Sequence, residues 1–114
     1  MNDAIHIKSG DAVLQRFIAF PFVLYRHDSA WVPPLMFRER QRLSVEQNRF
    51  FKHAERELFL VLRGNRVVGR VAAVLEHGAR QGLVGFFECE DDLPACRELM
   101  NAAQTWLSKR GAKH

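Results

Sequence analysis

The feature that most constrains this chain is a pair of apolar runs on either side of a tight-turn signal. The stretch ELFLVLRGNRVVGRVAAVLEHG, residues 57–78, is rich in β-branched residues on both sides of Arg63-Gly64-Asn65-Arg66. A Gly-Asn pair supplies the left-handed backbone conformations that a two-residue hairpin turn needs. We therefore predict antiparallel strands over residues 57–62 and 66–76. Gly69, inside the second strand, is expected to mark a bulge or a close backbone approach.

The segment before this hairpin predicts a short strand and mostly helical structure. Ile5 and Ile7 alternate with polar neighbours, which is typical of a strand. Apolar residues at helical spacing predict a helix over residues 11–19. A separate turn is expected to begin at Pro21, because proline lacks an amide donor and clashes with the preceding turn. The capping box Ser44-x-x-Gln47 predicts a short helix that reaches FFKHAE, with the two phenylalanines Phe50 and Phe51 in the core.

After the hairpin, a third strand and a long helix are predicted. Residues 83–89 continue the meander, and a stripe of apolar residues predicts a helix from about residue 94 to residue 110. Asp92 can cap the start of this helix, and Gly111 suits the position just past its end. The predicted order is β-α-(α)-β-β-β-α, an α+β fold in layers. Such a helix normally leads into another strand, so we expect residues 1–114 to be one domain or half-domain from the N-terminal part of a longer protein.

Composition and charge narrow the classes of function. One hydrophobic core is possible in 114 residues, no apolar run approaches the roughly 20 residues of a membrane span, and no metal-ligand spacing is present. With two cysteines, Cys89 and Cys96, a reduced cytoplasmic protein is expected. Residues 1–86 hold 13 Lys/Arg against 8 Asp/Glu, whereas residues 87–114 hold 4 against 5. A solvated basic surface explains this imbalance more simply than an anionic partner does.

The junction before the last helix is where many α/β proteins hold a phosphate. In GLVGFFECEDDLPACRELM, residues 82–100, the strand ends in the acids Glu88, Glu90, Asp91 and Asp92. The positive end of a helix dipole favours anions there. Yet residues 90–95 contain no glycine, and Pro94 removes a donor. Each like-charge pair at ~4 Å would cost about 4 kcal/mol at an effective dielectric near 20, more than the dipole returns.

Three phrases carry a resemblance to a known fold family. LYRHDSAWVPPL, NRFFKHAERELFLVLRGNRVVGRVAAV and GFFECEDDLPACRELMNAAQTWLSKRG together span most of residues 17–111. In wording and element order they resemble bacterial proteins of the GNAT (N-acetyltransferase) superfamily. The resemblance implies the N-terminal half of a mixed sheet that is splayed open where acetyl-CoA enters. It also implies a Gln/Arg-x-x-Gly-x-Gly/Ala phosphate loop, from which residues 90–95 depart.

Three functions remain open on this resemblance. The first is an acyl-CoA-dependent N-acyltransferase that acylates a small amine. CoA would then bind through the strand backbone near Phe86, Phe87 and Cys89, with Glu88 or Glu90 as the general base. The second is a non-catalytic interaction domain that forms a homodimer through the exposed third strand. The third, a nucleic-acid-binding module, has the least support because Arg38, Arg40 and Arg42 would fan around a helix.

Overall fold

The computed structural model describes residues 4–112. Four antiparallel strands form one sheet in the order β1-β2-β3-β4, with helices on both faces. The elements are β1 (Ile5–Ser9), α1 (Leu14–Leu24), α2 (Met36–Leu43), β2 (Ala54–Arg63), β3 (Arg66–Glu76), β4 (Leu83–Cys89) and α3 (Leu93–Lys109), with short 3₁₀ helices at Asp11–Val13 and Arg49–Lys52. The predicted α+β class and element order are confirmed.

The hairpin and the last helix form as the sequence predicts. Arg63 pairs with Arg66 across the turn, where Gly64 has a φ of 60°. Gly69 lies close to the neighbouring elements, because a Cβ on it would come within 2.8 Å of the Cys89 sulfur. The Asp92 side chain accepts a hydrogen bond from the Ala95 amide at the start of α3. Gly111, with a φ of 75°, follows the end of this helix.

The predicted break at Pro21 is wrong, because α1 runs through this proline without interruption. A proline inside a helix leaves the carbonyl four residues earlier without its amide donor. That carbonyl belongs to Phe17, and it accepts a hydrogen bond of 2.9 Å from Nη1 of Arg70 on β3. A side chain from the sheet therefore replaces the donor that Pro21 lacks, and the helix continues.

The helix predicted after Ser44 is also wrong. Ser44 Oγ does accept a hydrogen bond from the Gln47 amide, but the chain only turns there and then forms the 3₁₀ helix at Arg49–Lys52. β2 already begins at Ala54, so no room is left for a longer helix. The prediction that Phe50 and Phe51 lie in the core is also wrong. Phe50 is 45% exposed, and Phe51 is only partly buried.

Two separate clusters of buried residues lie on the two faces of the sheet. On one face, α3 packs Leu99, Ala103 and Leu107 against Val68 and Val71 of β3. On the other, α1 and α2 cover a cluster centred on the residues Phe17, Ile18, Leu43, Leu58, Leu60 and Ala72. Within residues 4–112, no helix is long and apolar enough to cross a membrane.

Candidate functional site

A bulge in β4 is the most distinctive backbone feature of the sheet. Arg70 pairs with Glu88 and Ala72 pairs with Gly85, so both Phe86 and Phe87 lie opposite the single residue between that pair of β3 positions. Phe86 has a φ of 57°, and no other non-glycine residue of the described chain has a positive φ. A bulge interrupts the ladder and re-aims the strand, and strained backbone of this kind gathers at functional sites. Because β4 is the edge of the described sheet, the bulged backbone is not covered by another of its strands.

Glu88, one residue past the bulge, is joined to α1 by a hydrogen bond. The Tyr25 hydroxyl donates to Oε2 of Glu88. This hydrogen bond, together with burial, raises the pKa of Tyr25 above its ordinary value. The tyrosine therefore stays protonated and donating at neutral pH, and the carboxylate lies against the end of α1 that carries the aromatic residues.

Those aromatic residues hold Tyr25 in place. The Trp31 ring lies 5.3 Å from the Phe22 ring and 5.4 Å from the Tyr25 ring, measured between centroids. Aromatic pairs at such separations contribute about 0.5–1.5 kcal/mol beyond the area they bury. Trp31 therefore packs on two partly buried aromatic rings, one of which belongs to the tyrosine that donates to Glu88.

Arg70 of β3 lies between the bulged residue Phe86, helix α1 and Glu88. Its guanidinium lies 4.7 Å from the centroid of the Phe17 ring and 5.7 Å from that of Phe86, and it faces Glu88 across the strand pair. Only 7% of this residue is exposed, and its Nε has no hydrogen-bond partner within residues 4–112. Burial lowers the pKa of Arg70 and the charge of Glu88 opposes that change. A guanidinium stays protonated at neutral pH in proteins, so Arg70 remains a cation.

The acids at the junction before α3 are paired with arginines of the β2–β3 hairpin. Nε and Nη2 of Arg63 donate to the two carboxylate oxygens of Asp92 at 2.9 Å and 3.0 Å. Arg66 Nη1 donates to both oxygens of Glu90 at 2.7 Å and 2.6 Å. The bond with Arg63 lowers the pKa of Asp92, and the Ala95 amide adds to this effect.

These pairs change the electrostatic balance at the junction but not its shape. Two of the acids are neutralised, so a phosphate would meet less repulsion than the sequence alone indicates. Asp92 nevertheless occupies the helix N-terminus by bonding to the Ala95 amide, and Pro94 offers no amide. A pyrophosphate would have to displace this cap or bind beside it. The junction therefore does not fit pyrophosphate in the way a glycine loop does.

Cys89 lies on the other face of the sheet from Glu88. Its sulfur lies below α3 near Gly69, and both cysteines are free thiols. Burial raises the pKa of Cys89 to about 12, with smaller contributions from a hydrogen bond with Cys96 and from the charges of Asp92 and Glu90. Burial is the larger cause, and it makes this thiol a poor nucleophile.

The structure brings only two of the five predicted site residues together. Phe86 and Glu88 lie together on the α1 face of the sheet, beside Arg70. Glu90 lies at the junction in its pair with Arg66, and Cys89 faces α3. Phe87, also in the bulge, is 46% exposed.

Two residues of this site, Tyr25 and Arg70, were not predicted. A signal for Arg70 exists in the sequence, since it is the one charged residue within the apolar run from Val67 to Leu75. A helix interrupted by proline also requires a donor from elsewhere. Tyr25 carries no comparable signal, because only the packing of α1 against the sheet brings it to Glu88.

The architecture and the bulged edge strand define a GNAT-like fold. The chain superposes on a tandem GNAT protein from the clavulanic acid biosynthesis pathway with a TM-score of 0.74 and 17% identity, covering 96% of this chain and 34% of that one. At this identity the likeness shows the fold alone. No protein-family model matches the chain.

Two relatives are similar in sequence along nearly the whole chain. The bacterial ceramide synthase of Caulobacter vibrioides (strain NA1000 / CB15N) is 39% identical over 110 residues, which cover 90% of this chain and 29% of the relative. Protein YghO of Escherichia coli (strain K12) is 31% identical over 105 residues, covering 87% of this chain and 27% of the relative. The chain thus spans less than a third of the length of these relatives.

Proposed function

We propose that this chain is the N-terminal lobe of an acyl-CoA-dependent N-acyltransferase, in which an amine attacks the thioester carbon of the acyl donor. The observation that carries the proposal is the bulge at Phe86–Phe87 on the edge strand, with a carboxylate directly after it. The bulge leaves strand amides out of the ladder, where they can donate to a thioester carbonyl. The likeness in fold to GNAT proteins and in sequence to a ceramide synthase supports the same reaction class.

Glu88 is the better of the two candidate bases. In the proposed reaction the carboxylate takes a proton from the amine as its nitrogen bonds to the carbonyl carbon, and CoA leaves as the C–S bond breaks. Glu90 has both oxygens engaged by Arg66. Glu88 has the neutral Tyr25 hydroxyl as partner, which leaves its charge uncompensated by direct pairing. Arg70 lies opposite this acid in the strand ladder, and its guanidinium lies 5.7 Å from the centroid of the Phe86 ring.

A binding and a turnover measurement test this function. An acyl-CoA present at 100 times its dissociation constant should stabilise the chain by about 2.7 kcal/mol, which a thermal shift detects. With an amine supplied to the full-length protein, Glu88→Gln should lower thiol release from acyl-CoA by about 10²–10⁴-fold without weakening acyl-CoA binding. Glu98→Gln, an exposed glutamate on α3, is the matched control. No stabilisation at millimolar acyl-CoA would contradict the proposal.

A second candidate is a non-catalytic interaction domain. β4 is the edge of the described sheet, and its residues Leu83 and Phe87 are 67% and 46% exposed. Exposed edges of this kind recruit strands, so a homodimer through β4 would cover both side chains. Sedimentation, together with the acyl-CoA binding measurement, distinguishes the two candidates. The interaction domain is favoured if the chain forms a dimer that Phe87→Lys dissociates and if the chain does not bind acyl-CoA.

The basic charge gives little support to a nucleic-acid-binding module. Nine arginines within residues 4–112 donate to, or pair with, groups of the protein itself: Arg16, Arg26, Arg40, Arg42, Arg56, Arg63, Arg66, Arg70 and Arg110. Binding to phosphates requires cations that are exposed and grouped. Absence of binding to a DNA duplex at low salt is the expected result.

A further inference from the structure

The connection between α1 and α2 carries a run of apolar side chains on the surface. Every residue from Val32 to Arg38 is exposed. The exposed fraction is 84% for Val32, 58% for Leu35 and 60% for Phe37, and Met36 lies between the last two. Single apolar residues at a surface are ordinary, but a contiguous group of them marks a site of contact with a partner. Residues 32–38 are called the apolar segment below.

The arginines around the apolar segment keep their charge uncompensated. Arg26 Nη1 donates to the Val23 carbonyl at 2.6 Å, and Arg40 Nη2 donates to the side-chain oxygen of Gln15. Both arginines are therefore bonded to neutral groups. Arg38 has no side-chain hydrogen bond or ion pair within residues 4–112.

The acids of this region do not cancel that charge. Residues 26–42 hold four arginines against Asp28 and Glu39, a difference of +2. Glu39 pairs with Arg42 at 2.8 Å, and Asp28 accepts a hydrogen bond from the Ala30 amide. Three arginines thus remain against one acid, so the complementary partner is an anionic surface.

Helix α2 sets apolar and basic side chains next to each other. Successive residues of an α-helix lie about 100° apart around its axis. Leu43 is buried and Glu39 is partly buried, so this side of α2 faces the body of the protein and Phe37 points away from it. Arg38 and Arg40 then lie on either side of Phe37. An outward apolar side chain between cations is typical of helices that lie in a membrane interface.

The backbone of the apolar segment also favours a lipid bilayer over other anionic partners. A backbone amide that leaves water without a partner costs free energy, but Pro33 and Pro34 have no amide to lose. A nucleic acid would match the charge and leave the apolar side chains in water. A second copy of the chain would bring two regions of the same positive charge together. A folded protein would need a hollow shaped to an exposed segment, whereas a bilayer needs none.

We propose that residues 26–42 dock on the surface of a lipid bilayer that contains anionic headgroups. The apolar segment lies at the boundary of the acyl chains, and its arginines lie against the headgroup phosphates. This docking goes beyond the proposed function and does not depend on it. Trp31, directly before the apolar segment, packs on Tyr25, so docking holds the Tyr25–Glu88 pair near the bilayer.

Vesicle sedimentation of the full-length protein measures the docking. Phosphatidylcholine vesicles are compared with vesicles that also contain phosphatidylglycerol. Binding is expected on the anionic vesicles, and it should weaken as salt is added because exposed charges are screened. Absence of binding to the anionic vesicles, or equal binding to both kinds, would overturn the proposal.

Two leucines form a matched pair that tests the apolar contact. Leu35 is 58% exposed, and Leu93 at the start of α3 is 60% exposed. Leu35→Ser should weaken binding to anionic vesicles about tenfold, because a leucine side chain no longer leaves water. Serine is favoured at the N-cap position that Leu35 occupies, so α2 should remain folded. Leu93→Ser should leave binding unchanged, and equal losses in the two variants would contradict docking through the apolar segment.

Two exposed arginines test the charge in the same way. Arg38→Glu and Arg97→Glu change the net charge equally, but Arg97 lies on α3. Arg38→Glu should weaken vesicle binding about 30-fold, and Arg97→Glu should weaken it far less. Equal effects would mean that net charge alone attracts the protein to the vesicles, and the docking surface would be wrong.

The other partners give different results. A protein that does not bind vesicles, but forms a dimer that Leu35→Ser dissociates or binds DNA in a way that Arg38→Glu abolishes, would overturn the bilayer proposal. Stabilisation by acyl-CoA is measured without lipid and tests only the proposed function, so the two proposals can fail separately.

Discussion

The two faces of the sheet are built on different principles. The α3 face is hydrocarbon throughout its centre, with Leu99, Ala103 and Leu107 fully buried. The face under α1 and α2 buries two arginines, Arg56 and Arg70, and leaves an open groove beside them. Both faces bury an apolar cluster, but only the face under α1 and α2 also holds buried charges and an open groove.

The two buried arginines have a common structural task. Arg70 Nη1 donates to the Phe17 carbonyl within α1, and Arg56 Nε donates to the Leu43 carbonyl at the end of α2 at 2.8 Å. Each thus satisfies a helix carbonyl that lacks an amide donor. The helices on this face add charged hydrogen bonds to their apolar packing against the sheet, whereas α3 is held by apolar contacts and the Asp92–Arg63 pair.

The largest expected effect is on the closed face. Leu99→Ala should lower the free energy of unfolding by about 3 kcal/mol, because it leaves a cavity where the side chain is fully buried. Urea denaturation with an unchanged slope measures it. Leu83→Ala on the open face is the control and should change stability by less than about 0.5 kcal/mol, since Leu83 is 67% exposed. Equal losses at both positions would remove the contrast between the faces.

Arg70→Met should lower the free energy of unfolding by a smaller amount, about 2 kcal/mol, because the Phe17 carbonyl would lose a charged hydrogen-bond donor. The physical reason can be tested in a double-mutant cycle with Pro21→Ala, which restores the missing amide. In that background the loss caused by Arg70→Met should shrink by about 1 kcal/mol. Strictly additive losses would show that Arg70 does not substitute for the amide of residue 21.

Asp92→Ala should lower the free energy of unfolding by about 1 kcal/mol, which is the usual effect of removing the N-cap side chain of a helix. The pKa of Asp92 is lowered in the folded state, so its contribution is complete above the ordinary carboxyl range and is lost as pH falls through the folded-state pKa. Stability curves of the two proteins should therefore converge in acid. Asp91→Ala, an exposed neighbour, should leave the curve unchanged.

The smallest effect is a spectroscopic shift on the open face. Tyr25 is the one tyrosine of the chain, so phenolate absorbance reports it alone. Because the bond to Glu88 raises its pKa, the folded chain should titrate at a higher pH than the urea-unfolded chain. The contribution of this hydrogen bond to the free energy of unfolding is complete below the pKa of Tyr25 in the unfolded chain. It is lost as pH rises through the pKa of Tyr25 in the folded chain. Glu88→Gln should lower the midpoint; an unmoved midpoint would mean that the pair does not form.

Most of the sheet was predictable from local signals. The hairpin follows from Gly64-Asn65 between apolar runs, and α3 follows from its apolar stripe, its Asp92 cap and Gly111. Of the candidate site, the strand segment with Phe86 and Glu88 was predicted, because the resemblance places acyl-CoA along that strand. Its partner residues were not predictable, because Tyr25 and Arg70 reach the site from elements far away in sequence.

The sequence by itself determined the strands, their antiparallel order and the acidic junction, because turn chemistry, periodicity and capping act over a few residues. Only the tertiary structure decided that α1 continues through Pro21, since its replacement donor lies 49 residues further along the chain. It also decided that Phe50 and Phe51 line a groove instead of a core, and that hairpin arginines neutralise Glu90 and Asp92. Each of these outcomes depends on contacts between distant segments, which local propensity does not encode.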